Sequence, residues 1–206
     1  MKESRFVVEV EGKRDVFSFH PVEFERDVDI LFNWMHQSHI APFWKLNLPI
    51  KEFTQWLKHS IDSKQKDIYI GSYNDIPVCY LIAYAVKDDP IKEYYTYNKD
   101  DLGMHLLIGP RPYLNKEDGL SIIRGMILFL FEHYGAHRII GEPDVRNRIV
   151  IPILKSMGGE VKGTIQLPHK KATLIMGERE LIKKKLDKDG IQVTFINKLS
   201  QEGITL

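Results

Sequence analysis

Cysteine is nearly absent from this chain, which contains only Cys79 among its 206 residues. A single cysteine excludes an internal disulfide framework and any metal site built from several cysteines. An excess of charge of one sign is lacking as well, because 28 Asp and Glu residues balance 29 Lys and Arg residues, which leaves a net charge of +1. A nearly neutral chain has no strong overall field to attract nucleic acid or an anionic membrane surface.

Long apolar segments are also missing. Uninterrupted apolar runs such as Met126–Phe131 are far shorter than the ~20 residues that a membrane-spanning helix needs. Residues 1–12 carry scattered charges and lack the apolar core of a signal peptide. The sequence therefore predicts a soluble cytoplasmic protein.

The length limits the number of domains. A chain of 206 residues corresponds to one domain of ~150 residues with some extension. We expect residues 1–186 to form one domain with an N-terminal hairpin, and residues 187–206 to form a C-terminal extension of unknown role. The last part of that extension, 191–206, could be an extra strand, a partner arm or a disordered tail.

Apolar periodicity places the secondary structure along the chain. Alternating patterns predict strands at 6–10, 16–19, 67–73, 76–86, 102–108, 138–141, 160–167 and 172–176, with a further candidate at 191–196. Helical spacing predicts helices at 24–37, 50–61, 117–134, 147–157 and 178–186, and the segments 38–48 and 88–101 are predicted loops. Meandering strands followed by strand–helix alternation favour an α+β fold with a mixed, mostly antiparallel, twisted sheet flanked by helices.

One predicted crossover connection indicates where the functional residues lie. The strand at 102–108, the helix at 117–134 and the strand at 138–141 predict a parallel strand–helix–strand unit. Ligands in such units bind near the carboxyl ends of the strands. We therefore expect the functional residues to lie just after 108 and 141.

A histidine lies in the middle of the apolar strand at 102–108. Strand alternation places His105 on the same face as Leu107 and Gly109, with the intervening apolar residues on the opposite face. An imidazole in a core strand needs a hydrogen-bond partner or a cavity. A hydrogen-bonded core histidine and a catalytic base both agree with this pattern.

A polar segment, GEPDVRNR at 141–148, joins the short strand to the next helix. Asp144 or Asn147 could cap the N-terminus of that helix. Alternatively, Asp144 lies at the carboxyl end of a strand beside the His105 strand, where it could orient an imidazole or act as a base itself.

The break between the strand at 102–108 and the long helix is a candidate anion site. Free N–H groups at a helix N-terminus favour phosphate, and Arg111 and Lys116 add positive charge there. Many strand–loop–helix junctions share this pattern, and only Gly119 lies inside the loop.

Aromatic residues cluster around the segment 38–48. His39, Phe43 and Trp44 follow the first helix, and Trp34 and Trp56 lie in the helices on either side. Such clusters usually belong to the core. The alternative is that His39, Phe43 and Trp44 form a wall or lid over a substrate with an aliphatic chain.

Three motifs occur together in a fixed order: GMHLLIGP at 103–110, EPDVRN at 142–147 and LPHKKA at 167–172. With the Phe43–Trp44 dipeptide, they resemble the siderophore-biosynthesis branch of the GNAT acyltransferases. That branch includes the N-hydroxylysine acetyltransferase of aerobactin biosynthesis and the mycobactin lysine N-acyltransferase. The resemblance runs from about Phe19 to Met176. It implies the GNAT fold, a mixed seven-stranded sheet that is splayed at its central strands.

The resemblance also implies roles for individual residues. His105 matches the expected catalytic base, and Asp144 matches the aspartate expected beside it. The residues expected to contact coenzyme A are Leu107, Ile108, Gly109, Arg111, Lys116, Gly119 and Asn147. The loop at 109–119 departs from the family in having fewer glycines.

The activity implied is direct transfer of an acyl group from acetyl-CoA or another acyl-CoA to the nitrogen of an N-hydroxylated amino acid or diamine. An N6-hydroxylysine-like acceptor would give a hydroxamate, an iron(III) ligand of siderophores. We expect a small-molecule amine or hydroxylamine substrate, siderophore-pathway enzymes as candidate partners, and no metal, nucleic acid or membrane. The alternatives are a GNAT acetyltransferase for another amine, a longer acyl chain, and a non-catalytic acyl-CoA-binding module.

Overall fold

The structure, a computed structural model, describes residues 3–197 and forms one mixed sheet with helices on both faces. Its strands are β1 (Ser4–Val10), β2 (Lys13–Pro21), β3 (Lys66–Tyr73), β4 (Ile76–Ala85), β5 (Asp101–Ile108), β6 (Arg138–Gly141), β7 (Glu160–Leu167), β8 (Lys170–Glu178) and β9 (Gln192–Asn197). They lie in the order β7-β8-β6-β5-β4-β3-β2-β1-β9. The β5–β6 pair is parallel, and the other neighbouring strands are antiparallel.

Helices cover both faces of this sheet. Those in the described residues are α1 (Phe24–Met35), α2 (Ala41–Trp44), α3 (Ile50–Ile61), α4 (Lys116–Tyr134), α5 (Val150–Ser156) and α6 (Arg179–Lys188). The buried residues of α1 and α3 form one core with one face of the sheet, and those of α4, α5 and α6 form a second core with the other face. Phe129 of α4, for example, stacks on Phe19 of β2 with 4.4 Å between the ring centroids.

The two central strands separate after three residue pairs. Asp101–Gly103 of β5 pairs with Arg138–Ile140 of β6. Strand β5 continues to Ile108, where it pairs with β4 on its other edge. In the described part of the chain, the edge of β5 that faces β6 therefore has no strand partner beyond Gly103.

A buried ion pair joins β5 and β6 at the start of their paired segment. Asp101 is 1% exposed, and its carboxylate accepts hydrogen bonds of 2.7 and 2.6 Å from Nε and Nη2 of Arg138. The Tyr95 hydroxyl donates a further bond of 2.9 Å to Asp101. A bidentate pair of this kind is specific in geometry, and it ties the first residues of β5 and β6 together.

The predicted fold class is confirmed: a mixed, mostly antiparallel sheet, flanked by helices and splayed at its central strands. The sheet has nine strands rather than seven, because β1 and β9 lie at one edge beyond β2. The candidate strand at 191–196 is present as β9, which pairs with β1. Residues 198–206 lie outside the described residues, and the domain boundary at 186 stays a prediction.

Three local expectations differ from the structure. The loop at 38–48 contains α2, where Pro42 is tolerated because the first turn of a helix needs no N–H from it. The loop at 88–101 contains the 3-10 turn Pro90–Tyr94. The helix predicted from Asn147 begins at Val150, because the Asn147 side chain accepts hydrogen bonds from the N–H groups of Ile149 and Val150.

No helix among the described residues is long and apolar enough to cross a membrane.

Candidate active site

The imidazole of His105 faces an open pocket. Its side chain is 39% exposed, which argues against the alternative of a core histidine. The Tyr84 ring of the neighbouring strand stacks on it with 5.1 Å between the ring centroids. Gly103 leaves the space for that ring, because a Cβ at this position would collide with it.

The carboxylate that holds His105 belongs to Glu142, the first residue after β6. Glu142 is 4% exposed, and its Oε1 lies 3.0 Å from Nδ1 of His105. Because a carboxylate only accepts hydrogen bonds, the Nδ1–H of the imidazole faces Glu142. In the neutral ring the lone pair is then on Nε2, which is the usual arrangement for an imidazole that accepts a proton.

Two further groups share the Glu142 carboxylate. The Lys170 ammonium lies 3.5 Å from Oε1, and the Tyr84 hydroxyl donates a 3.3 Å hydrogen bond to Oε2. Burial by itself would raise the pKa of Glu142, but the charge and hydrogen bond of His105, the charge of Lys170 and the Tyr84 bond lower it to about 2. Burial raises the pKa of Tyr84 well above its usual value, so the phenol stays a donor.

These groups lie in a pocket of about 320 Å³. The splayed ends of β5 and β6 form its floor, and α2 with the following Lys45 forms one wall. The turn between β7 and β8, with His169 and Lys170, forms another wall. Residues distant in the sequence therefore meet around one imidazole.

Asp144 lies in the same pocket and binds Arg146. Its two oxygens accept 2.8 Å hydrogen bonds from Nε and Nη2 of Arg146, and these bonds lower the pKa of Asp144 to about 2. The Arg146 guanidinium lies 5.8 Å from the centroid of the Phe43 ring. The contact with His105 expected for Asp144 is made by Glu142 instead, and a catalytic role for Asp144 stays a prediction.

The predicted substrate residues lie along the His105 pocket and at the carboxyl end of β5. Phe43 and Trp44 line the pocket, and Nε2 of His39 lies 3.3 Å from the Ile108 carbonyl oxygen. The Trp44 and Tyr80 rings are 5.6 Å apart. Tyr80 is 0% exposed, so an aromatic side chain fills the space behind Trp44.

Comparison with known proteins identifies the family. Residues 23–167 match the model of the acetyltransferase (GNAT) domain. The chain belongs to the GNAT acetyltransferases. It is similar to the N-hydroxyputrescine acetyltransferase of Acinetobacter baumannii, with 32% identity over 164 residues that cover 80% of this chain and 78% of that protein. It is also similar to the N(6)-hydroxylysine O-acetyltransferase of Escherichia coli, with 25% identity over 167 residues that cover 81% of this chain and 53% of that protein.

Solved structures share the fold. A crystal structure of an uncharacterized protein from Bacillus halodurans has a TM-score of 0.78 and 31% identity, and the match covers 92% of this chain and 97% of that one. The aminoglycoside acetyltransferase AAC(6')-Ib in complex with coenzyme A has a TM-score of 0.71 and 21% identity, covering 82% of this chain and 98% of that one. Because the identity to AAC(6')-Ib is 21%, this similarity is evidence for a shared fold alone.

The splay between β5 and β6 exposes a strand edge that can bind acetyl-CoA, the co-substrate of this acetyltransferase family. Beyond Gly103, the edge of β5 facing β6 offers backbone N–H and C=O groups with no strand partner in the described chain, and the amides of a pantetheine arm can pair with such an edge. Leu107 and Ile108 are 4% and 5% exposed, so contacts from them would come from the backbone. Gly109 lets α1 close over the end of the strand, because a Cβ there would collide with the Trp34 indole.

The N-terminus of α4 is already capped in this GNAT domain. The Asn115 side chain accepts hydrogen bonds of 3.0 and 2.9 Å from the N–H groups of Glu117 and Asp118. A pyrophosphate at this helix end would have to displace the Asn115 amide and lie beside two carboxylates. Phosphate contacts by Arg111, Lys116 and Gly119 stay a prediction. The cofactor contact of Asn147 also stays a prediction; this residue lines the pocket, and its side chain accepts hydrogen bonds from the N–H groups of Ile149 and Val150.

The sequence patterns did not single out Glu142, Tyr84 or Lys170. Glu142 directly precedes Pro143 in the EPDVRN motif, and Lys170 lies in the LPHKKA motif, so both had a signal in the motifs that carry the family resemblance. Tyr84 had none, because its position depends on the pairing of β4 with β5, which sets it opposite Gly103.

Proposed function

We propose that the chain transfers the acetyl group of acetyl-CoA to the hydroxylamine nitrogen of an N-hydroxylated diamine or amino acid, giving a hydroxamate for siderophore assembly. The observation that carries the proposal is the His105–Glu142 pair, 3.0 Å apart, beside the edge of β5 that has no strand partner among residues 3–197. The relatives named for N-hydroxyputrescine and N(6)-hydroxylysine support this choice of acceptor class.

The reaction needs one proton acceptor and no covalent enzyme intermediate. Acetyl-CoA supplies the thioester carbonyl, so that a C–N bond forms as the C–S bond breaks and coenzyme A leaves as the thiol. Nε2 of His105 accepts the proton that the nitrogen loses and passes it to the departing sulfur, while Glu142 holds Nδ1. Backbone N–H groups beyond Gly103, on the edge of β5 that faces β6, would stabilise the developing oxyanion, at ~3 kcal/mol for one donor.

The acceptor's basicity favours a hydroxylamine. A lysine-type amine has a pKa near ~10.4, so its deprotonation at pH 7 costs ~4.6 kcal/mol before any attack. A hydroxylamine is far less basic and is mostly neutral at pH 7. A histidine base, whose ordinary pKa is near ~6.5, therefore suits the removal of a proton during or after attack by a neutral nitrogen.

The pocket has space for such a small acceptor. We place its aliphatic chain against Phe43 and Trp44, with His39 at the Ile108 carbonyl. Tyr80 fills the space behind Trp44, which favours acetyl over longer acyl groups. The candidate partners are the siderophore-pathway enzymes that supply the hydroxylamine and consume the hydroxamate, in the cytoplasm where coenzyme A thioesters are available.

The test is a parallel acceptor assay with the full chain. Free-thiol release from acetyl-CoA is followed with N-hydroxyputrescine and N6-hydroxylysine, and with putrescine and lysine as matched acceptors without the hydroxyl group. The products are then mixed with iron(III), which forms a coloured complex with an N-acylated hydroxylamine and none with an O-acylated one.

We expect fast thiol release with at least one hydroxylamine, little release with the matched amines, and a coloured iron complex. Equal rates with the plain amines would overturn the assignment of the acceptor. Thiol release without the coloured complex would place the acetyl group on the hydroxyl oxygen or on the acceptor's other amine, and would overturn acylation of the hydroxylamine nitrogen. Coenzyme A binding with no turnover of any acceptor would favour a binding module.

A further inference from the structure

The LPHKKA motif brings a lysine to the carboxylate that holds the His105 imidazole. Lys170 is the first residue of β8, and it follows the antiparallel turn after β7, two residues before Ala172, which pairs with Asp144. Its side chain is 19% exposed and reaches the Glu142 carboxylate at 3.5 Å. The next residue, Lys171, is exposed and lies outside the pocket lining.

We propose that Lys170 is a positioning residue for the acyl transfer: it shares the buried Glu142 carboxylate with His105 and so keeps the imidazole free to accept a proton. This proposal rests on the proposed function, in which His105 is the base. A carboxylate paired only with the imidazole would stabilise its protonated form. The ammonium of Lys170 offsets that negative charge, so Glu142 orients the ring without holding it as a cation.

The charges around His105 make Lys170 the group to test. Glu142 is the carboxylate in contact with the ring, and Tyr84 stacks on the ring and donates to Glu142. The other charged or titratable groups that line the pocket are Lys45, Asp144, Arg146 and His169. Asp144 and Arg146 are paired with each other at 2.8 Å, so their charges largely cancel.

The distances set the expected size of the electrostatic effect of Lys170 on His105. Nζ of Lys170 and Nδ1 of His105 lie 3.5 and 3.0 Å from the same oxygen, Oε1. The two nitrogens are therefore at most 6.5 Å apart, the sum of these distances. A unit charge at that range, with an effective dielectric between that of water and ~20, moves a titration by about 0.5 to 2 pH units.

The experiment compares three variants with the wild type: Lys170→Met, Lys170→Arg and Lys171→Met. The dependence of kcat/KM on pH is measured with acetyl-CoA and the best hydroxylamine acceptor. We expect Lys170→Met to move the acidic limb of the profile upward by about one pH unit. At pH values on the acidic limb, kcat/KM of Lys170→Met should be about tenfold below that of the wild type. At pH 8.5 the two values should be equal. The arginine variant should restore the wild-type profile, and Lys171→Met should not change it.

A second readout does not depend on turnover. Histidine resonances are titrated by NMR in the wild type and in Lys170→Met, with His105 assigned from its loss in His105→Gln. The same upward movement of the His105 titration midpoint is expected. Absence of acetyl transfer by the wild type would refute the proposed function, and this titration would still decide the role of Lys170.

Two results would overturn the role of Lys170. One is an acidic limb and a His105 titration that move no further in Lys170→Met than in Lys171→Met. The other is a loss of activity in Lys170→Met that is equal at all pH values, which would indicate a structural role only.

Discussion

Replacing Glu142 with glutamine should remove a component of stability that depends on pH. In the folded chain the pKa of Glu142 is lowered from 4.5 to about 2, against the effect of burial, by His105 and Lys170 and by the Tyr84 hydrogen bond. A pKa that is lowered on folding contributes stability above the unfolded value, and this stability is lost as the pH falls through the folded value. The relevant window therefore runs from about pH 4.5 down to about pH 2.

The magnitude follows from the same two values. A fall from 4.5 to about 2, at ~1.36 kcal/mol per pH unit, corresponds to about 3 kcal/mol at pH 7. By the same relation less than half of this contribution remains at pH 3, and little of it remains at pH 2. The glutamine side chain stands in for protonated Glu142, since it keeps the shape and loses the charge.

Urea unfolding of the wild type and of Glu142→Gln between pH 2.5 and pH 7 measures this difference. The free-energy cost of the substitution should shrink steadily as the pH falls. Glu160→Gln is the matched control, because the Glu160 side chain is 58% exposed and an exposed pair contributes little. A cost for Glu142→Gln that is the same at pH 3 and pH 7, or below about 1 kcal/mol at pH 7, would refute the reasoning.

Three further substitutions test other parts of the site. His105→Gln should lower kcat by about 10²-fold to 10⁴-fold, the range for loss of a general base, while calorimetric affinity for acetyl-CoA is retained; a near-normal kcat would rule out His105 as the base. Gly109→Ala should cost about 1–3 kcal/mol in thermal unfolding, because the added Cβ collides with the Trp34 indole; an unchanged Tm would contradict this packing. Arg138→Met should cost about 3–5 kcal/mol in urea, because Asp101, at 1% exposure, would be left as an unpaired buried charge; a cost under about 1 kcal/mol would show that Asp101 finds another partner.

The amino-acid sequence by itself determined the fold class and the strands and longer helices of the fold. The alternation of β5 around His105 and the apolar face of α4 are local patterns with fixed periods, so they can be found without the tertiary structure. The break after Ile108 and the polar EPDVRN segment after β6 also marked the edge of the sheet where the pocket lies. The sequence motifs indicated the GNAT family because three of them occur in one order along the chain.

Only the tertiary structure decided which groups touch the imidazole. Asp144 and Glu142 are two residues apart in the EPDVRN motif, yet Glu142 turns toward His105 and Asp144 turns toward Arg146. Lys170 reaches the same carboxylate because β8 pairs with β6, which no local pattern specifies. Side-chain contacts between distant strands depend on register and on the splay of the sheet, and these are properties of the packed molecule rather than of any one segment.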